Sequence, residues 1–246
     1  MDELEKPAGA AAAEQSAGAI PGTGTPPSIS EPGALVGVFV KPRATFAAMA
    51  QKPRFLLAMG VVLVVQVLLG ILVFQSGAVK NDAIAKMEAK DTPPEQIDRV
   101  ERFFDSPAAP VIGATSGAVV ITFLLLLNAG LLFFMANLML GAQLTFRHYY
   151  SVSVHGALIG IVDQAVRTAL AWSKGTLDIR LGAGNFLGED LGHLGRMLDT
   201  MTDPLILWSI LVTAIGVSTF AKKGLGFGFA AVLPGFLLNV LLSGMR

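Results

Sequence analysis

Within HGALIGIVDQAVRTALAWS, residues 155–173, an apolar run long enough to cross a bilayer carries Asp163 and Arg167 four residues apart, with Gln164 between them. Ionisable groups in hydrocarbon are costly, so such a pair is by default a functional candidate, suited to a proton relay or an ion path. An acid preceding a base by four is also the orientation in which the two meet across one helical turn, so the pair can largely neutralise itself. Gly156 and Gly160 extend the same stripe, at i and i+4 against Asp163 at i+7 and Arg167 at i+11. Two small residues let a neighbouring helix approach closely, and the charges then face that neighbour rather than lipid. With a helix entering at Tyr149 and rising about 1.5 Å per residue, Arg167 lies about 27 Å along a path of about 36 Å, close to one interface. This pattern favours a structural latch over a relay.

Other polar groups in apolar runs are Gln66, Asn128, Asn137, His155 and Asn239. Buried amides commonly hold membrane helices together by hydrogen bonds across the helix interface. A small-solute or ion transporter, or a channel component, using Asp163 and Arg167 is the alternative, but no inverted repeat or pair of broken helices accompanies them. A serine protease would need a nucleophile and a base at one depth, and Ser116 falls near the outer end of the second run while His155 lies in the inner half of the third. His148 and His155 share a helix face without a third ligand, and Cys is absent, so no metal site is expected. GLGFGF, residues 224–229, lacks the preceding strand and following Lys-Ser or Lys-Thr of a phosphate loop. The chain reads as a non-enzyme with no catalytic, cofactor-binding or metal-binding residue.

The elements that must position these residues follow from composition. Hydrophobic residues make up 53% and charged residues 15% of 246, which is membrane-protein composition. Formal net charge is zero and Lys and Arg form no stripe, which excludes a nucleic-acid surface. Residues 1–33, rich in Ala, Gly, Pro and Ser, cannot bury enough apolar surface to order and are expected to form a disordered tail without a secretory leader pattern. Residues 34–54 form a basic amphipathic segment punctuated by Pro42 and Pro53, with Lys41, Arg43, Lys52 and Arg54 as membrane-surface candidates. Apolar length predicts spans over about 55–75, 110–141, 149–172, 204–221 and 224–244. Asp203 is the expected cap of the fourth, with Pro204 in its first turn.

The fold class is therefore all-α, a polytopic membrane bundle with five transmembrane helices. Short basic connections holding Arg147, Lys222 and Lys223 fall on the side of segment 34–54, whereas the loops 76–109 and 174–203 together carry eight Lys and Arg against twelve Asp and Glu. The excess of Lys and Arg puts the N-terminus inside and the C-terminus outside. In the first loop, Thr92, Pro93 and Glu95 predict a capping box. In the second, Leu187, Leu191, Leu194 and Leu198 predict an amphipathic face.

VGVFVKPRATFAAMAQKPRFLL before the first span, LGAQLTFRHYYSVSVHGAL across the turn into the third, and DPLILWSILVTAIGVSTFAKKG through the fourth resemble the Yip (Ypt-interacting protein) family. The resemblance covers roughly residues 34–244 and implies five membrane helices, a cytosolic N-terminus and, in eukaryotic members, partnership with Rab-type GTPases in vesicle traffic. The Ala- and Gly-rich chain is more similar to bacterial relatives, which implies the bacterial inner (cytoplasmic) membrane. It brings no catalytic residues and no cofactor. The expected function is a membrane-organising or partner-binding scaffold, its partners the lipid bilayer and a protein docking on the cytoplasmic segment. A GTPase partner follows from the resemblance alone, and a homo-oligomer is left open.

Overall fold

A computed structural model of the protein describes residues 29–186 and 192–245. It contains ten α-helices: α1 (Glu31–Val40), α2 (Pro42–Met49), α3 (Leu56–Gln75), α4 (Ala78–Glu88), α5 (Pro94–Phe104), α6 (Ala109–Phe133), α7 (Phe146–Lys174), α8 (Gly192–Thr202), α9 (Pro204–Phe220) and α10 (Leu225–Gly244). No strand occurs among the described residues. The all-α expectation holds. Most of the expected tail lies outside the described residues, but residues 31–33 open α1, where the Ser30 hydroxyl accepts from the Gly33 amide at 3.2 Å.

By length and composition, three helices can each cross a membrane: Leu56–Gln75, Ala109–Met139 and Leu225–Gly244. The second is α6 continued by a π-helical turn, Phe134–Met139. A fourth span results if α8 and α9, bent by 50° where they meet at Asp203, are taken together. At 29 residues α7 is long enough, but it carries Arg147, Asp163, Arg167 and Lys174. Its position explains its weaker hydropathy. It packs against α3, α6 and α9, and residues such as Val152, Val154 and Ile159 are wholly buried against other helices rather than offered to lipid.

The ends of the helices obey local rules. Asp203 caps α9, its carboxylate accepting from the amides of Leu205 at 2.9 Å and Ile206 at 3.3 Å, with Pro204 opening the helix. The capping box expected at Thr92 is replaced by a helix beginning at Pro94, with no side-chain cap. Gly175 ends α7 in the left-handed region, φ 67°, which a residue with a Cβ adopts only under strain.

Segment 34–54 is two short helices broken at Pro42. Ala34, Val38, Phe46 and Met49 are fully buried, while Val36 and Val40 are largely exposed. The Phe46 ring meets His155 and Phe220 edge-on at 6.0 and 5.6 Å, so this segment is built into the bundle core. In α8, Leu194 and Leu198 face outward, and Gly195, Asp199 and Thr200 are the buried positions. The leucine face expected there points away from the protein, and Leu187 and Leu191 lie outside the described residues.

Glycine decides how closely α9 and α10 approach. A Cβ on Gly228 would collide with the carbonyl oxygen of Ala214, whereas one on Gly226 would meet nothing. Gly228→Ala should lower the unfolding midpoint in detergent by an amount equivalent to about 1–3 kcal/mol, the usual range for overpacking. Gly226→Ala should leave it unchanged or raise it, since alanine is the better helix former.

Candidate functional site

Where α7, α8 and α9 converge, one guanidinium collects three partners. Arg167 Nε donates to both carboxylate oxygens of Asp163, at 2.9 and 3.0 Å, across one turn of α7. One terminal nitrogen donates to the backbone carbonyl of Ile179 at 2.6 Å. The other donates to Asp203, whose side chain is fully buried. The second oxygen of Asp203 is the one that caps α9. A single cation thus ties α7 to the segment following it and to the α8–α9 bend. Charge-assisted bonds of this kind are the strong ones, and in a setting with little water the alternative is an unpaired charge.

The segment after Ile179 is fastened to α8 by backbone contacts. The Gly182 amide donates to Asp199 Oδ1 at 2.7 Å and the Ala183 amide to the Thr202 hydroxyl at 2.7 Å. A Cβ on Gly182 would strike the Asp199 carbonyl and one on Gly184 the Gly195 carbonyl, so both positions require glycine. At the same end of the bundle Lys80 bonds Asp105 at 2.8 Å, and this hydrogen bond raises its ammonium pKa above the ordinary lysine value.

Next to Asp163 a cleft of about 230 Å³ opens between α6, α7, α9 and α10. Asn128, Ser209, Thr213 and Asn239 line it with Asp163, and Gly160, which has open space over its Cα, forms part of the wall. Three of the polar side chains are turned to the helices. Asn128 Nδ2 donates to the Ser153 hydroxyl at 2.9 Å, the Ser209 hydroxyl to the Gly156 carbonyl at 3.3 Å, and the Thr213 hydroxyl to the Ser209 carbonyl at 2.7 Å. Asn239 is exposed, and its side chain makes no hydrogen bond among the described residues.

The candidate residues separate into several places. Gly156 lies on the α7–α9 contact, where a Cβ would come within 2.8 Å of the Thr213 hydroxyl, while Gly160, Asp163 and Asn128 border the cleft. His155 is buried and donates from Nδ1 to the Ser151 carbonyl at 2.8 Å. Asn137 pairs with the backbone of Leu144, donating to its carbonyl at 2.6 Å and accepting from its amide at 3.3 Å, which pins the turn before α7. Arg54 donates to the Ile29 carbonyl at 3.2 Å, while Lys41, Arg43 and Lys52 are exposed on the same end. Asp203 was visible in the sequence as a helix cap but not as the partner of Arg167, 36 residues earlier. The Ile179 carbonyl had no signal at all. Among the described residues no group of three His, Asp or Glu side chains is arranged to hold a metal.

A family model described as the Yip1 domain matches residues 36–245. The chain belongs to the Yip family. No curated protein and no solved structure matches it. Together with its long apolar helices, membership makes this Yip1-domain protein an integral, multi-pass membrane protein. The matched region takes in nearly all of the described bundle, including the Arg167 cluster and the helices of segment 34–54.

Because Asp203 is buried, removing its cation should be expensive. Arg167→Met is expected to destabilise the Yip1-domain bundle by about 3–5 kcal/mol in a detergent unfolding titration. Adding Asp203→Asn, which keeps a capping oxygen but removes the stranded charge, should recover part of that loss. Equal stability of the single and double variants would mean the pair is not coupled. Exchanging the charges at 163 and 167 should not rescue stability, because an acid at 167 would face Asp203.

Proposed function

We propose that this Yip-family protein is a non-enzymatic scaffold of the bacterial inner membrane. Five helices, α3, α6, α7, α9 and α10, span the bilayer, with the N-terminus in the cytoplasm and the C-terminus outside. The observation that carries the reading is the saturation of the charges inside the bundle. Arg167 directs its donors to two carboxylates and a backbone carbonyl, which is the behaviour of a latch and commits the Asp163, Arg167 and Asp203 charges to one another.

The topology rests on charge. Apart from Glu31, every Asp and Glu among the described residues lies on or near the end of the bundle formed by α4, α5 and α8, and the opposite end carries Lys41, Arg43, Lys52, Arg54, Arg147, Lys222 and Lys223. The positive-inside rule assigns that basic end to the cytoplasm. There α1 and α2, folded into the bundle by Phe46 and Met49, hold a rigid surface toward partners. A photo-crosslinking residue at exposed Ala44, used in intact cells, should capture one defined protein; recovery of lipid and random neighbours alone would count against a scaffold.

The cleft beside Asp163 supports the second reading, a small-solute or ion transporter. In proteoliposomes that reading requires flux above that of empty vesicles, abolished by Asp163→Asn. The scaffold reading expects none.

A further inference from the structure

On the basic end, a cavity of about 680 Å³ lies between α2 and the turn that joins α9 to α10. Three cations border it: Arg43 from α2, and Lys222 and Lys223 from the turn. None of the three forms an ion pair among the described residues, and no acid lines the cavity. The backbone at the lysines is held in place. The Lys222 amide donates to the Thr219 carbonyl and the Lys223 amide to the Ser218 carbonyl, at 3.2 and 2.9 Å, and Lys222 occupies the left-handed region with φ 54°. Ser218, whose hydroxyl donates to the Ile215 carbonyl at 3.0 Å, and Thr219 continue the wall one turn below the lysines. The first amides of the 20-residue α10 also begin here, after Gly224, which gives them no side-chain cap. The lining also has apolar residues, Ile215 on α9 and the exposed Leu225 on α10.

We propose that this groove binds the phosphate-bearing headgroup of an anionic phospholipid, seating the phosphate among Arg43, Lys222 and Lys223 and an acyl chain along Ile215 and Leu225. Unneutralised cations and free helix-start amides recognise a phosphate. A bare phosphate would fit the charged rim, but the apolar lining residues and the volume, within the range of about 300–1,000 Å³ for small-molecule pockets, fit an amphiphile. Basic pockets between membrane helices at the cytoplasmic face are suited to such headgroups. The groove goes beyond a general attraction of segment 34–54 to a charged surface, because two of its three cations come from the other end of the chain.

The test uses the full-length protein, purified in mild detergent, with phosphatidylglycerol, phosphatidylcholine and inorganic phosphate as probes and native mass spectrometry as the readout. Wild-type protein should retain phosphatidylglycerol about tenfold or more over phosphatidylcholine, and Arg43→Gln/Lys222→Gln/Lys223→Gln should erase the difference, as expected for the loss of three cation contacts. Lys52→Gln, a cation on the same end but outside the groove, should keep retention within about twofold. Ala47→Trp leaves every charge in place and fills the groove from an exposed position, and it should also abolish selective retention. Selective retention by Ala47→Trp, or by the triple variant, would overturn the proposal. Displacement of phosphatidylglycerol by millimolar inorganic phosphate would assign the rim to a free anion and overturn the lipid. Thermal unfolding of each variant, matched to wild type, shows that a lost lipid is not a lost fold.

Discussion

The bundle depends on a buried aspartate and the cation that meets it. Asp203 has no exposed surface, yet it must keep a carboxylate oxygen directed at the first amides of α9. Removing a carboxylate from water costs several kcal/mol unless a cation and further hydrogen bonds replace the lost hydration. Arg167 is that cation, and because a guanidinium is planar with donors on three nitrogens it can serve Asp163 and the Ile179 carbonyl at the same time. A lysine would supply the charge without the fork. The requirement to neutralise one helix cap therefore sets the distance between α7 and α9, the path of the chain after α7 and the bend before α9.

The two ends of the bundle solve different problems. At the loop end several charges are paired: Arg167 with two aspartates, Lys80 with Asp105, Lys86 with Asp82. At the basic end charge is left open, and polar groups are satisfied through backbone carbonyls instead. Arg147 donates to the Pro53 carbonyl at 3.1 Å and the Ser151 hydroxyl to the Arg54 carbonyl at 2.8 Å, so the start of α7 is stitched to the chain entering α3. This leaves the positive field intact while the backbone beneath it is rigid.

What could be read from the sequence follows from the range of the forces involved. Apolar runs predicted the long helices because crossing a hydrocarbon layer demands length and composition that local sequence must itself provide. The cap at Asp203 and the self-pairing of Asp163 with Arg167 are contacts over two to four residues and were equally legible. The contact between Arg167 and Asp203 joins positions 36 apart, and local patterns do not encode it. Leucine periodicity in α8 marks an apolar surface without saying whether protein or lipid covers it, and the structure turns Leu194 and Leu198 outward; Gly195 and Asp199 are buried beneath the segment holding Gly182 and Gly184. Segment 34–54 was legible as basic and amphipathic, but the ring of Phe46 between His155 and Phe220 is a tertiary fact.

The separation of Arg167 from Asp203 also imposes an order on biosynthesis. The ribosome emits Arg167 before Asp203, which follows it 36 positions later in the chain. During that interval α7 has only its own Asp163 for charge compensation, and the salt bridge that locks α9 does not yet exist. Asp163 is thus the charge partner that α7 carries within itself, and Asp203 the later one, which closes the far end of the bundle once α9 has begun.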